Sequence, residues 1–261
     1  MTKKELLERL DSIKDDLEEL FEDADSSEDE GKRFTSAEHS VFFMPFADVK
    51  RMLQAGLIGL FRIGDQVITE HDLFGPVAFD VIGINHDVNP NNPDAPTLTL
   101  QMHDVLPGVY VYDTESKEYP YGYARYMSST IRNTLNVEIL NGFSEEDRDA
   151  MIEVEKVTYT ANDDGGKPET TADKLFLLSA SEVGFTGEFV RPEGEVYAYY
   201  DGLPANRCKT ELNDREQARL WWLRSPFPGY AHYARLVYPS GAQSSRNAYG
   251  GIGAAAACVI G

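Results

Sequence analysis

Hydrophobic and polar positions divide the chain near residue 31. Before that point Leu6, Leu10, Ile13, Leu17 and Leu20 recur at spacings of four, three, four and three, with Leu7 and Phe21 widening the seam. Heptad spacing of this kind predicts an amphipathic helix. A lone helix of two to three heptads is marginal in water, so the seam calls for a covering surface. Two coverings stay open: a sister chain, giving a homo-oligomer through residues 6–21, or the chain's own domain. Asp23 to Gly31 is a polar tract that reads as a linker.

Residues 32–261 carry the mixed pattern of an α and β domain. Phe46 to Leu57 has helical periodicity, and Gly64–Thr69, Val77–Ile84 and Thr97–Met102 alternate as strands do, the last two joined by an Asn- and Pro-rich loop. Ser128 or Ser129 can cap a helix running to Leu140, with Ile131, Leu135 and Ile139 on one face. Ser144 can cap a second, with Asp147 three residues on. Lys174–Ser179 and Leu220–Ser225 predict buried strands. Ala234–Tyr238 predicts a strand before a Pro239-Ser240-Gly241 turn, and Ala255–Ile260 a closing strand of small residues.

Charge narrows the function. A formal net charge of −20 is the opposite of the basic face a nucleic-acid binder presents, so no nucleic-acid partner is expected. No apolar run approaches the roughly 20 residues of a membrane span, so no membrane insertion is expected. The charged opening MTKKELLERL has no signal-peptide core, which predicts cytoplasmic synthesis, with a phage particle as an alternative residence. Cys208 and Cys258 form no metal-ligand spacing and read as one loop thiol and one buried strand thiol. His71, His86 and His103 read as surface or turn residues, with His86 and His103 at opposite ends of a hairpin. No nucleophile motif, phosphate loop or dinucleotide fingerprint is present. The expectation is therefore a protein that is not an enzyme and uses no cofactor and no metal.

The last 45 residues differ from everything before them. All 44 acidic residues lie at or before Glu216, while Arg219, Arg224, Arg235 and Arg246 lie beyond it. An exposed tract of Tyr, His, Arg, Ser, Asn and Gly has the composition of an antibody paratope. Period two sets Arg235 and Val237 on one face of the 234–238 strand and Leu236 and Tyr238 on the other. With Val237 as the core residue, Leu236 and Tyr238 are expected to point outward. Phe227, Tyr230, Tyr233 and Tyr249 add aromatic area in loops, and large exposed apolar groups gathered on one surface usually mark an interaction site.

The order KLFLLSASEV, WWLRSP, ARLVYPSGA and AACVI, with FRIGDQV, FDVIGI, STIRNTLN and FSEEDRDAMI upstream, resembles the variable proteins of diversity-generating retroelements. The likeness covers roughly residues 57–261. It implies an α+β, C-type-lectin-type fold of the formylglycine-generating-enzyme variety, with a small antiparallel sheet and two helices. It also implies a C-terminal variable region, about 227–253, rewritten at adenines by error-prone reverse transcription. A diversified AAC codon becomes NNC, which encodes no Gln, Glu, Lys, Met or Trp. From Phe227 to Gly261 only Gln243 falls outside the NNC set.

Relatives of this kind carry Asn-rich text of the form NVNPSGA. Set against it, Tyr230, His232, Tyr233, Leu236 and Tyr238 stand where diversified Asn codons would be, as do Ser244, Ser245, Arg246, Asn247, Tyr249, Gly250, Ile252 and Phe227. Arg235, Val237, Pro239, Gly241 and Ala242 stand as scaffold, and Trp221, Trp222 and Arg224 match WWLRSP with at least one indole expected inside. The run Ala254–Ala257 departs from relatives that have a proline near Ala256. The resemblance implies a binding protein for a protein or glycan ligand, with a phage structural role and a formylglycine-generating-type oxidase as alternatives. The oxidase would need a reactive cysteine pair, and Cys208 and Cys258 lie in unrelated contexts.

Overall fold

A computed structural model describes residues 39–261; the expected helix and linker of residues 1–31 lie outside the described residues. The domain is α+β, with short helices and several small sheets. Its first strands are β1 (Val41–Phe43), β2 (Gln66–His71), β3 (Gly75–Ile84) and β4 (Leu98–Met102), with α1 (Phe46–Gln54) between β1 and β2. They form a six-stranded sheet in the order β1-β2-β3-β4-β15-β6, where β6 is Met151–Ile152 and β15 is Ala257–Ile260. The β1–β2 pair is parallel and the remaining pairs are antiparallel. The late strand β15 therefore lies in the interior of the sheet, between β4 and β6.

Helix α2 begins at Thr130, capped by the Ser129 hydroxyl, which accepts from the Arg132 amide. Past Asn133 it widens into a π-helical stretch, Thr134–Ile139, and tightens again over Leu140–Gly142. Asn136 sits at the widened stretch, donating to the Arg132 and Leu175 carbonyls and accepting from the Leu175 amide. Helix α3 (Glu145–Ala150) is capped by Ser144, which accepts from the Asp147 amide. The Asp147 carboxylate does not close a reciprocal box. It accepts instead from the Ala47 amide at the start of α1 and from the Thr69 hydroxyl, joining two helix ends and β2.

The expected strand at Lys174–Ser179 is a correction. The segment is buried and extended, but only Phe176 pairs with a strand, at Ala257. Several of its other backbone groups meet side chains: Leu177 N–H donates to the Tyr126 hydroxyl, and the Leu177 carbonyl accepts from the Arg224 guanidinium, while the Leu178 carbonyl accepts from the Arg224 amide. Backbone groups in a core need partners of some kind, and here side chains supply some of them. A hairpin of β7 (Val154–Tyr159) with β8 (Pro168–Asp173), a ribbon of β9 (Lys209–Glu211) with β10 (Asp214–Arg219), and a pair of β5 (Tyr110–Val111) with β14 (Gly251–Ile252) surround the main sheet. A three-stranded antiparallel sheet, β11 (Trp221–Pro226), β12 (Tyr233–Val237) and β13 (Gln243–Asn247), completes the domain. Both Trp221 and Trp222 are fully buried, with their indole N–H groups donating to the Arg207 and Tyr110 carbonyls.

His71 corrects the surface expectation. It ends β2 inside the protein, its ring stacked on Phe74 and hydrogen-bonded to the Ile139 carbonyl, and burial lowers its pKa. His86 and His103 are apart as expected: His86 packs on Tyr197, and His103 meets the Asp80 carboxylate.

Candidate functional site

The β11–β12–β13 sheet carries two sites of opposite character. One is a chain of aromatic rings at the surface. The β11–β12 connection holds Phe227, Tyr230, His232 and Tyr233, with Tyr230 stacked on Phe227 at 5.8 Å and His232 4.7 Å from Tyr233. Two residues from elsewhere extend it. Phe189 lies 6.0 Å from Phe227, and Tyr121 lies 5.7 Å from His232 and 6.2 Å from Tyr249. Tyr230, Tyr121 and Phe189 are 55, 53 and 53% exposed, too open to be explained by the core.

Backbone contacts fix the ring geometry. The Phe227 amide donates to the Tyr233 carbonyl, closing the β11–β12 connection, and the Ala231 amide donates to Asp163. The Tyr121 loop is joined to the same surface through Ala124 N–H to the Ala231 carbonyl and Tyr249 N–H to the Tyr121 carbonyl. Gly122 permits this approach: its φ is +73°, and a Cβ there would come within 2.8 Å of both the Asp113 carbonyl and the Tyr249 nitrogen. Rings held by backbone in this way offer contact area without a large ordering cost.

The faces of β12 are assigned differently from expectation. Leu236, expected outward, is 2% exposed, and Ala234, Arg235 and Val237 are buried with it. The middle strand of this sheet is covered on both faces, so one buried residue does not imply an exposed neighbour. Alternation groups Tyr233 with Arg235, and the rings gather on that side: the Arg235 guanidinium lies over Phe227 at 4.7 Å and donates to the Phe189 carbonyl. Ile252 and Gly250 are also buried, with Ile252 in the β14–β5 pair opposite Tyr110. Core packing removes Ile252 and Leu236 from the exposed surface, and Gly250 is covered by the Arg246 side chain and the Asn247 carbonyl.

Tyr238 is exposed but follows β12 at the end away from Tyr230, and among the described residues it stacks on no other ring. Ser244, Ser245, Arg246 and Asn247 lie on β13, the outer strand of the sheet, opposite Leu236, Arg235, Ala234 and Tyr233. Asn247 Oδ1, Gln243 Nε2 and Arg235 Nε are buried atoms with no hydrogen-bond partner among the described residues. Orphaned polar atoms are uncommon in proteins, and three fall on these two adjacent strands.

The second site lies under the same sheet and is ionic. Arg224 on β11 is fully buried and pairs with Glu182, while donating to the Leu177 and Glu193 carbonyls. Lys156 on β7 reaches Glu182 at 3.2 Å, Asp87 at 2.5 Å and the Tyr197 hydroxyl at 2.7 Å. Burial alone would raise the Glu182 carboxyl, but the charges of Arg224 and Lys156 override it and hold it at about 2. Glu193 goes the other way. Burial pushes it up to about 7, with Arg224 and the Ser225 hydroxyl offsetting only part. A cleft of about 400 Å³ opens beside this network, lined by His86, Asp87, Glu155, Lys156, Glu193 and Glu195 among others.

Among the described residues no group of three or more His, Cys, Asp or Glu side chains is placed to hold a metal ion, and no helix is long and apolar enough to cross a membrane. Cys208 is exposed, whereas Cys258 is buried on β15, where burial pushes its thiol pKa up. A raised thiol pKa means little thiolate, the reactive form.

Tyr121 and Phe189 were absent from the residues singled out by sequence. For Tyr121 a signal existed, since Tyr119, Tyr121 and Tyr123 alternate around Pro120 and Gly122. Phe189 had none.

The stretch from β4 to β15 defines the class of domain. The chain belongs to the DUF6273 family, a domain of unknown function, whose model matches residues 97–260. No curated protein and no solved structure matches the chain.

Proposed function

We propose that this protein is a non-enzymatic binding protein, of receptor or adhesion type, whose C-terminal surface is diversified by a retroelement acting at adenines. The observation that carries the reading is the surface ring chain Phe227, Tyr230, His232, Tyr233 and Tyr249, in which Tyr230 and Tyr249 are exposed and the other three half-buried. It is drawn from the part of the acid-free segment, Phe227 to Gly261, whose residues fit the NNC codon set with Gln243 as the one exception. The domain is read as a C-type-lectin-type fold of the formylglycine-generating-enzyme variety. Its ligand is a protein or a glycan, met on a cell surface or from a phage particle.

The test is genetic and direct. A reverse-transcriptase gene near the coding sequence, with a template repeat matching residues 227–253 and carrying Asn codons at the ring positions, is the expected result. A locus with neither would overturn the diversification reading. Under the corrected geometry the Leu236 and Ile252 codons should vary less, or only among apolar residues, compared with those of Tyr230 and Tyr249.

A further inference from the structure

We propose that the segment from Phe185 to Val196 is a strap that completes the aromatic surface only while seated, and that a proton on Glu193 keeps it seated; this rests on reading that surface as the binding site. The strap has no regular structure of its own. It supplies Phe189 to the ring chain, and the Phe189 carbonyl accepts from Arg235 at 3.0 Å. Phe185 and Val190 pack against the core, and the remaining anchors are polar. Arg191 lies over the Tyr159 ring at 5.8 Å, and the Glu193 side chain is buried. There Oε1 accepts from the Tyr159 amide at 2.8 Å, Oε2 meets the Ser225 hydroxyl, and the Glu193 carbonyl accepts from Arg224 at 2.6 Å. The next residue, Gly194, has φ +145°, and a Cβ there would lie 2.7 Å from Glu182 Oε1, so the strap passes directly against the ionic network.

Charge counting gives the proton its role. The charges acting on Glu193 come first from Arg224 on β11 and Glu182 on the turn before the strap, and Lys156 on β7 and Asp87 after β3 line the same cleft. Among the described residues none of these cations forms an ion pair with the Glu193 carboxylate, so once ionised it is a buried charge held only by the Tyr159 amide and the Ser225 hydroxyl. Arg235 on β12 also faces it but is itself partly buried and turned toward Phe189 and Phe227. Tyr112 and Tyr197 are neutral neighbours, their hydroxyl pKa values raised first by burial. His86, Glu155 and Glu195 line the cleft with it, and the two glutamates add negative charge. The Ser225 contact survives protonation, because a carboxyl group and a hydroxyl can hydrogen-bond in either direction.

Linkage sets the sign and the window. A seated carboxyl titrating at about 7 against an ordinary 4.5 binds its proton more tightly in the seated state. Opening is therefore least favoured below pH 4.5, grows as pH rises toward 7, and levels off above it. The full change in the opening equilibrium is roughly 300-fold.

Hydrogen exchange of the full chain between pH 4.5 and 8, corrected for intrinsic rates, tests this without any ligand. Protection of strap amides should fall by roughly 150-fold across this range and then level off, while β12 amides stay constant. In Glu193→Gln the strap should stay protected throughout. A 4-fluorophenylalanine at position 189 should move toward its solvent-exposed ¹⁹F shift over the same window. Strap protection independent of pH in the wild type, or changing in step with β12, would overturn the proposal, and the wild-type titration decides even if the variant does not fold. Because no ligand enters the measurement, its failure leaves the binding-surface reading standing, and an empty locus leaves the strap result standing.

Discussion

The two sites on the β11–β12–β13 sheet use polar and apolar groups in inverted ways. Beneath it, the charged side chains of Arg224, Glu182 and Lys156 are buried, each with a partner of opposite sign. Above it, Tyr230, Tyr121 and Phe189 are apolar and exposed, while polar atoms of Arg235 and Asn247 lack partners. A buried ion network favours one arrangement because every alternative leaves a charge alone. An exposed ring chain held by backbone hydrogen bonds places few demands on its side chains. The comparison sets a core locked by side-chain charges against a surface whose rings are placed through the backbone.

The largest effect that would sharpen this contrast is at the network's centre. Arg224→Ala leaves Glu182 buried with Lys156 alone, and should lower unfolding free energy by about 3–5 kcal/mol, measured by urea denaturation. Next is the corrected position. Leu236→Ala opens a cavity in a covered strand and should cost about 2–5 kcal/mol; a near-neutral result would restore Leu236 to the surface.

Glu193→Gln should stabilise the protein at pH 8 by at most about 3 kcal/mol and have little effect at pH 4.5, since the wild-type carboxyl is charged only at the higher pH. Stability from Glu182 has the opposite sign: present above pH 4.5, it is lost as pH falls toward 2. Thermal melts across pH 3–8 separate the two. The smallest effect is on the rings. Joint Tyr230→Ala and Tyr238→Ala should shift stability by no more than about 1 kcal/mol, and a large loss would show that these tyrosines support the core.

Local pattern made most of the framework legible. The strands around residues 66–84 and 98–102, the Ser129 and Ser144 caps and the closing strand follow from periodicity and capping chemistry. The gathering of Phe227, Tyr230, His232 and Tyr233 at the surface was legible from the aromatic composition of that stretch. What escaped depends on partners far along the chain. The ionic network joins residues 87, 156, 182, 193 and 224, which no spacing rule connects. Lys174–Ser179 has the composition of a strand, but Tyr126, Asn136 and Arg224 take its backbone groups. Leu236 was misplaced because alternation identifies which residues share a face without showing that both faces are covered.

Strand β15 follows the ring-bearing segment in the chain, yet it occupies the interior of the main sheet. During synthesis the sheet must wait for residues 257–260 before β4 and β6 can be joined. Any frameshift or premature stop within 227–253 also deletes β15, and with it the buried Cys258, Val259 and Ile260. Reading errors in the surface segment thus remove the keystone of the fold, so that chains reaching the native state have kept their reading frame through the rings.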